Sequence, residues 1–487
     1  MYDNLKNNMF SGMFWTFLRQ TSLQIFAFIE GVILARLLSP SDYGLLAMPA
    51  FFMAISGCFF DSGFATALVR KQDKTPIDYS TVFVTTVCLT AFFSLLLCIC
   101  SPLIADFYNE PILIKIVCAN AVLLFLNSFL SIQNTRLTIK MDFKAQNLFR
   151  VITNITIGIT VIICAFCGMG VWSLVWPNFI MPFLNGYLYY RHDPWFPGFK
   201  FSWKVWREFF GYGSKLLASN LITTVFDNIY PLVVGKKFSA ANLGYYSKAQ
   251  SYACLPSYTL QTIVGPVAFP VMCSISKDEH RLQEAYLRLV SLTCYLIFPI
   301  IIGLAVLAKP FIIILITNKW EAAIIYLQVL CFASMWNPFN ILSLDLFQVK
   351  GRSDLFLKLE ILKKSMSILI LFISIPFGLL IMCYGQVVTA NISTIINMYY
   401  IKKVGQIKYS RLLRQIVPSL LYASSMGIII HLSVLCIDSH TLKLITGLTV
   451  GVLYYWIISK LTKSSALEYL IALFKEKILS HLKRSKE

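Results

Sequence analysis

The chain has 487 residues, 57% of them hydrophobic and only 13% charged, with a mean hydropathy of +0.70. Soluble proteins carry roughly 25% charged residues, so this composition excludes a water-soluble domain and specifies a polytopic membrane protein. The net charge of +19 would suit a nucleic-acid binder, but the placement of the cations along the chain excludes that reading.

A spanning helix needs about 20 mostly apolar residues. In chain order the sequence predicts such segments near 13–38, 44–69, 79–103, 112–135, 147–168, 170–190, 209–235, 246–272, 287–308, 322–347, 359–376, 378–401, 416–436 and 443–461. The first is too long for a signal-peptide core and lacks a cleavage site, so it is expected to be retained. Two junctions, at Gly168–Gly170 and at Ile375–Gly378, leave almost no connecting chain. Thirty Lys and Arg fall in the N-terminus, the even-numbered connections and the C-terminal tail, against eight on the other side. By the positive-inside rule both termini are expected in the cytoplasm, which requires an even number of spans. The thirteen cysteines lie mostly within apolar runs, and the one CxxC spacing, Cys164 and Cys167, falls in such a run with no second pair beside it. They read as small hydrophobes rather than disulfides or metal ligands.

The connection after the first span, "LARLLSPSDYG" (34–44), returns after the seventh as "VGKKFSAANLG" (234–244). Ser39 answers to Ser239, Asp42 to Asn242 and Gly44 to Gly244. Six spans separate the copies, so both cross the membrane in the same sense, as in a parallel pseudo-twofold repeat. The expected organisation is a six-helix lobe over 1–192, a cytoplasmic amphipathic linker over 193–208, a second six-helix lobe over 209–403, two additional spans over 404–462 and a basic amphipathic cytoplasmic tail over 463–487. In the linker, Trp195, Phe199, Trp203, Trp206 and Phe210 alternate with Lys200, Lys204 and Arg207. That mixture suits a helix lying at the headgroup level.

Polar groups inside spans are expensive and tend to face the bundle interior. Arg19 and Glu30 share a face of the first span, with Gln20 and Gln24 beside it. Lys215, Ser219, Thr223 and Asp227 step along the seventh at i,i+4. Asp61 lies in the second span and Asp345 in the tenth. Glu360, Lys363 and Lys364 open the eleventh, where Glu360 to Lys364 is a favourable i,i+4 order. Asn120, Asn127 and Asn134 recur at heptad spacing in the fourth, and Gln386, Thr389, Ser393 and Asn397 share a stripe of the twelfth. Such rows often only hold neighbouring helices together, and Lys363 and Lys364 stand near enough to the surface to snorkel. The functional reading is a hydrated cavity for an anionic headgroup. Arg19, Lys215, Lys363, Lys364, Gln20, Gln24 and Asn127 are then the substrate-binding candidates, and Glu30, Asp61, Asp227 and Asp345 the proton- or sodium-coupling candidates. No phosphate-binding GxxxxGK[ST] loop, zinc-protease HExxH or nucleophile elbow is present. ATP, a metal or cofactor, and an enzymatic activity are not expected.

"LLSPSDYG" at 37–44, "DSGFATALVRK" at 61–71, "FDNIYPLVVGKKF" at 226–238 and "LGYYSKAQ" at 243–250 resemble the polysaccharide transporter family. This is the Wzx-like branch of the multidrug/oligosaccharidyl-lipid/polysaccharide exporter superfamily. The resemblance implies a V-shaped pair of six-helix lobes, with two added helices in many members, in the bacterial inner membrane. It implies flipping of an undecaprenyl-pyrophosphate-linked oligosaccharide from the cytoplasmic to the periplasmic leaflet, for O-antigen, capsule or exopolysaccharide synthesis, alongside a polysaccharide polymerase. Membrane cations of the family's first and seventh helices map onto Arg19 and Lys215. "SAANLG" departs from members that carry an acid before "LG". An ion-coupled exporter of small molecules from the same superfamily is the alternative. A membrane glycan polymerase or ligase would need a long periplasmic loop, and none is expected here.

Overall fold

The computed structural model describes residues 24–60, 63–469 and 471, with the backbone alone at Tyr212, Lys215, Ile263, Pro266 and Ser353. The described residues form helices and connecting turns without a strand. Ten helices among them are long and apolar enough to cross a membrane, or eleven if a bent pair counts as one span. That pair is α1 (Gln24–Leu37) and α2 (Pro40–Ala47), meeting at 119°. The predicted second span is α3 (Ala50–Phe60) followed by α4 (Phe64–Arg70). Then come α5 (Pro76–Tyr108), α6 (Leu113–Ile139), α7 (Phe143–Phe166), α8 (Ile180–His192), α9 (Trp203–Lys237) and α10 (Ala240–Ser274). The series continues with α11 (Glu279–Val306), α12 (Ala308–Ile316), α13 (Ala323–Ser334), α14 (Asn337–Val349), α15 (Ser353–Ser374), α16 (Leu379–Gly405), α17 (Tyr409–Leu435) and α18 (His440–Leu461). Among the described residues, helix thus lies within every predicted span, with α13 and α14 sharing the tenth. α12 is an additional short helix in the connection before it.

The two shortest junctions are made by glycine. Gly168 (φ +75°) and Gly378 (φ +96°) adopt the left-handed region that other residues rarely enter, and each reverses the chain in one step. The predicted sixth span is only partly α-helical. Residues Gly170–Leu174 and Trp176–Phe179 form tight 3₁₀ turns before α8 begins.

The linker differs from its expected form. Residues 193–202 are not helical, because Pro194 and Pro197 supply no N–H donor within "DPWFPGFKFS". The strap packs on α5 instead. Trp195 meets Tyr79 edge-on at 5.6 Å, Phe196 and Phe199 both meet Phe83, and the Ser202 N–H donates to Thr81 Oγ1 at 3.2 Å. Trp203 then starts a continuous 35-residue helix that includes the whole predicted seventh span. At 1.5 Å per residue it is about 52 Å long, beyond the roughly 30 Å hydrocarbon layer.

The chain divides into two compact units, Met1–Ser247 and Lys248–Glu487, with the boundary inside α10. In the first, α5 and α6 pack along their length and α9 lies on α3, α4 and α5. Phe64, Leu68, Phe83, Ile132, Val205 and Phe209 form a core where α4, α5, α6 and α9 meet. Leu34 and Leu38 join α1 to Val161 and Ala165 of α7. In the second unit α11 is the central element, packed on α13, α14 and α17, and α17 packs on α18. The Tyr455 hydroxyl donates to the Tyr295 carbonyl at 2.8 Å, tying α18 to α11.

Candidate functional site

The row predicted on the seventh span lies on α9. Ser219, Thr223 and Asp227 are exposed. The Thr223 hydroxyl donates to the Ser219 carbonyl at 3.1 Å, which satisfies it within its own helix. Lys215 takes the next position on this row, one turn earlier. The opposite side of α9 is anchored by packing: Cys58 Sγ of α3 lies 3.0 Å from Thr224 Oγ1, and a Cβ on Gly63 would stand 2.8 Å from the Gly213 Cα. Backbone meets backbone there, two residues from Lys215.

Other candidates sort differently. Arg19, Gln20 and Asp61 lie outside the described residues. Gln24 and Glu30 are half-buried on α1. The Glu30 carboxylate rests over Gly158 of α7, where a Cβ would stand 2.9 Å from Oε2 and 2.6 Å from the Phe26 ring. Asn127 buries its Oδ1 without a hydrogen-bond partner among the described residues. Its heptad companions are used locally. Asn120 donates to the Ile116 carbonyl at 2.9 Å, and Asn134 Oδ1 accepts from Gln146 of α7 at 2.6 Å.

In the second unit, Asp345 of α14 faces a cavity of about 50 Å³ shared with Gln261, Thr293 and Leu342. It makes no hydrogen bond or ion pair among the described residues. Glu360 pairs with Lys363 at 3.0 Å rather than following the expected i,i+4 order. That pair buries Lys363 to 8% exposure, while Lys364 is half-buried. On α16 the stripe acts partly as helix-to-helix glue. Asn397 is fully buried and donates to Asn340 Oδ1 of α14 at 2.8 Å. No group of three His, Cys, Asp or Glu able to hold a metal is found among the described residues.

Two ionic clusters lie at the end of the first unit where α9 starts, and the sequence offered no periodic signal for either. Asp78, fully buried, accepts from Thr75 N–H at 2.7 Å, Thr75 Oγ1 at 2.9 Å and Lys71 Nζ at 3.0 Å. Lys71 also reaches Glu208 of α9 at 3.3 Å. Burial alone would lower the Lys71 pKa, but the hydrogen bonds it donates to Asp78 and Glu208 outweigh that and raise it. In the second cluster Asp193 bridges Arg136 (3.2 Å) and Lys140 (2.6 Å), and the Arg136 guanidinium lies 4.3 Å from the Trp195 ring centre. His192 bonds Asp142 at 2.7 Å. The Ala145 N–H and His192 together lower the Asp142 pKa.

A family model described as "Polysaccharide biosynthesis protein" matches residues 33–325. The teichuronic acid biosynthesis protein TuaB of Bacillus subtilis is 23% identical over 429 residues, 88% of this chain and 89% of its own length. The lipopolysaccharide biosynthesis protein WzxC of Escherichia coli is 23% identical over 374 residues, 74% of each chain. Among solved structures, the lipid II flippase MurJ in an inward closed conformation superposes with a TM-score of 0.72 at 15% identity. The match covers 91% of this chain and 98% of that one. An inward-facing multidrug resistance MATE family transporter gives 0.63 at 14% identity, covering 79% and 96%. Likeness at these identities establishes a shared fold.

Proposed function

The chain belongs to the polysaccharide biosynthesis protein family, and from that premise we propose that it is a flippase for a lipid-linked oligosaccharide. It moves an undecaprenyl-pyrophosphate-linked unit from the cytoplasmic to the periplasmic leaflet of the bacterial inner membrane by alternating access, with both termini cytoplasmic and without covalent chemistry. The observation that carries this reading is the exposed row Ser219, Thr223 and Asp227 on a membrane-spanning helix. Polar groups facing lipid are costly, so an exposed row of this kind belongs against water. A hydrated path is what a headgroup of sugars and phosphates needs. Pyrophosphate carries two or more negative charges, and moving it through a low-dielectric region requires compensation. Lys215 on this row, Arg19, and more weakly Lys363 and Lys364, are the proposed compensating cations, with Gln20, Gln24 and Asn127 as polar contacts.

The names of the relatives support this reading: two act in teichuronic acid and lipopolysaccharide biosynthesis, and a structural neighbour is a lipid II flippase. Energy is proposed to come from a proton or sodium gradient through Glu30, Asp61, Asp227 or Asp345, and a polysaccharide polymerase is the expected downstream partner. Deleting the protein in its own bacterium tests the assignment. Loss of a surface polysaccharide, with lipid-linked units accumulating on the cytoplasmic leaflet, is expected. Unchanged polysaccharide with altered drug sensitivity would replace it by the small-molecule exporter.

A further inference from the structure

The repeated loops meet each other in the first unit. A Cβ on Gly44 would lie 1.7 Å from the Ala240 carbonyl oxygen, and a Cβ on Gly244 would lie 1.9 Å from the Pro40 carbonyl oxygen. Ala240 is position 40 moved by the 200-residue repeat, and Pro40 is position 240 moved back. The two contacts are therefore equivalent, related by a local twofold axis. The same Cβ on Gly244 would also lie 3.3 Å from the Gly44 backbone nitrogen. Neither glycine has a positive φ, so the requirement for glycine is space and not conformation. Any side chain at either position would force the backbones more than about 1 Å apart before reaching even a tight contact.

Each loop is also prefolded by itself. Ser39 and Asp42 form a reciprocal capping box: the Asp42 N–H donates to Ser39 Oγ at 3.3 Å, and the Ser39 N–H donates to Asp42 Oδ2 at 2.9 Å. In the second copy the Asn242 N–H and Nδ2 both donate to Ser239 Oγ, at 3.3 and 3.1 Å. The missing acid is thus replaced by an amide of reversed polarity that holds the same turn. Two rigid helix starts, α2 and α10, meet through small surfaces in the manner of close membrane-helix crossings. This crossing lies at the end of α9 away from the Lys71 and Arg136 clusters.

We propose that Gly44 and Gly244 form a reversible backbone latch that closes this end of the molecule in one state of the transport cycle and parts in another. Weak, water-insensitive backbone contacts between prefolded turns suit a joint that must open and reclose without breaking ion pairs. This deepens the alternating-access reading and rests on it for its role, but the latch itself is measurable without substrate.

The test places spin labels, through genetically encoded non-cysteine residues, at Ser41 and Lys237, both exposed. The thirteen native cysteines are left in place. Distances are read in substrate-free lipid nanodiscs. The wild type should show a short-distance population. Gly44→Ala and Gly244→Ala should each reduce it by about tenfold relative to longer distances. Because each single substitution already parts the same two backbone segments, the double variant should be no worse than either. Gly57→Ala, which meets nothing within 4 Å, should change nothing. Insertion levels are expected to stay normal. Short distances retained in both single variants would overturn the latch, as would additive loss in the double. A distance change in the alanine variants with undiminished polysaccharide export would instead leave the latch standing and overturn its part in transport.

Discussion

Replacing Asp78 by Asn should be among the most damaging single-atom changes at the strap end of the first unit. The carboxylate is fully buried and receives three donors, at 2.7, 2.9 and 3.0 Å. Asparagine keeps the shape but removes the charge and presents an NH₂ to a site built from donors. Asp78 is the N3 partner of Thr75 in the capping box that starts α5, and hydrogen bonds to a charged group contribute about 1.5–3 kcal/mol. Lys71 keeps Glu208 as a partner, which limits the penalty, so the net loss should be about 3 kcal/mol. Glu208→Gln removes the other partner of the same lysine, but its side chain is 55% exposed, and exposed pairs contribute about 0–1 kcal/mol. Thermal unfolding of the detergent-solubilised protein, followed by size-exclusion chromatography with fluorescence detection, measures both. Asp78→Asn should lower the midpoint several times more than Glu208→Gln. Equal shifts would refute the reasoning that burial sets the worth of this cluster.

Arg136→Lys keeps the charge beside Asp193 but loses the flat guanidinium over Trp195, and should cost about 1 kcal/mol in the same unfolding assay. Acidification should remove the Asp142 contribution: its carboxyl is depressed, so the stabilisation is present above the ordinary carboxylate value and disappears as pH falls through the lower folded value. Lys71 titrates the other way. Its raised pKa adds stability that is complete below the ordinary lysine value and fades as pH rises through the higher folded one. A stability profile flat from pH 3 to 12 would contradict both. Gly158→Ala should push α1 off α7, since a Cβ there would stand 2.6 Å from Phe26 and 2.9 Å from Glu30 Oε2. Flipping should fall while membrane insertion stays normal, and unchanged flipping would show that α1 has room to shift.

The helices were largely legible because apolar length is a one-dimensional signal: each predicted span contains helix. The repeat was legible because Ser39, Gly44, Ser239 and Gly244 recur at one offset. Its meaning was not, because nothing in a single copy shows that Gly44 faces Ala240 and not lipid. The linker was misread as a helix because aromatic and basic alternation outweighed Pro194 and Pro197, which deny the strap its hydrogen bonds. Lys363 choosing Glu360 was equally hidden, since i,i+3 and i,i+4 partners compete at similar strength. Charge rows gave the candidate residues but not their surroundings. Ser219, Thr223 and Asp227 stay exposed while Asn397 is buried as glue, and both looked alike as stripes.

Flipping by the purified protein tests the central claim most directly. Vesicles carrying an undecaprenyl-pyrophosphate-linked oligosaccharide in the inner leaflet are reconstituted with the protein, and a glycosidase outside reads the arrival of sugar. The account predicts protein-dependent exposure of the sugar, reduced at least about tenfold by Lys215→Ala in protein inserted at normal levels. Exposure no faster than in protein-free vesicles, or undiminished in the Lys215→Ala variant, would contradict it.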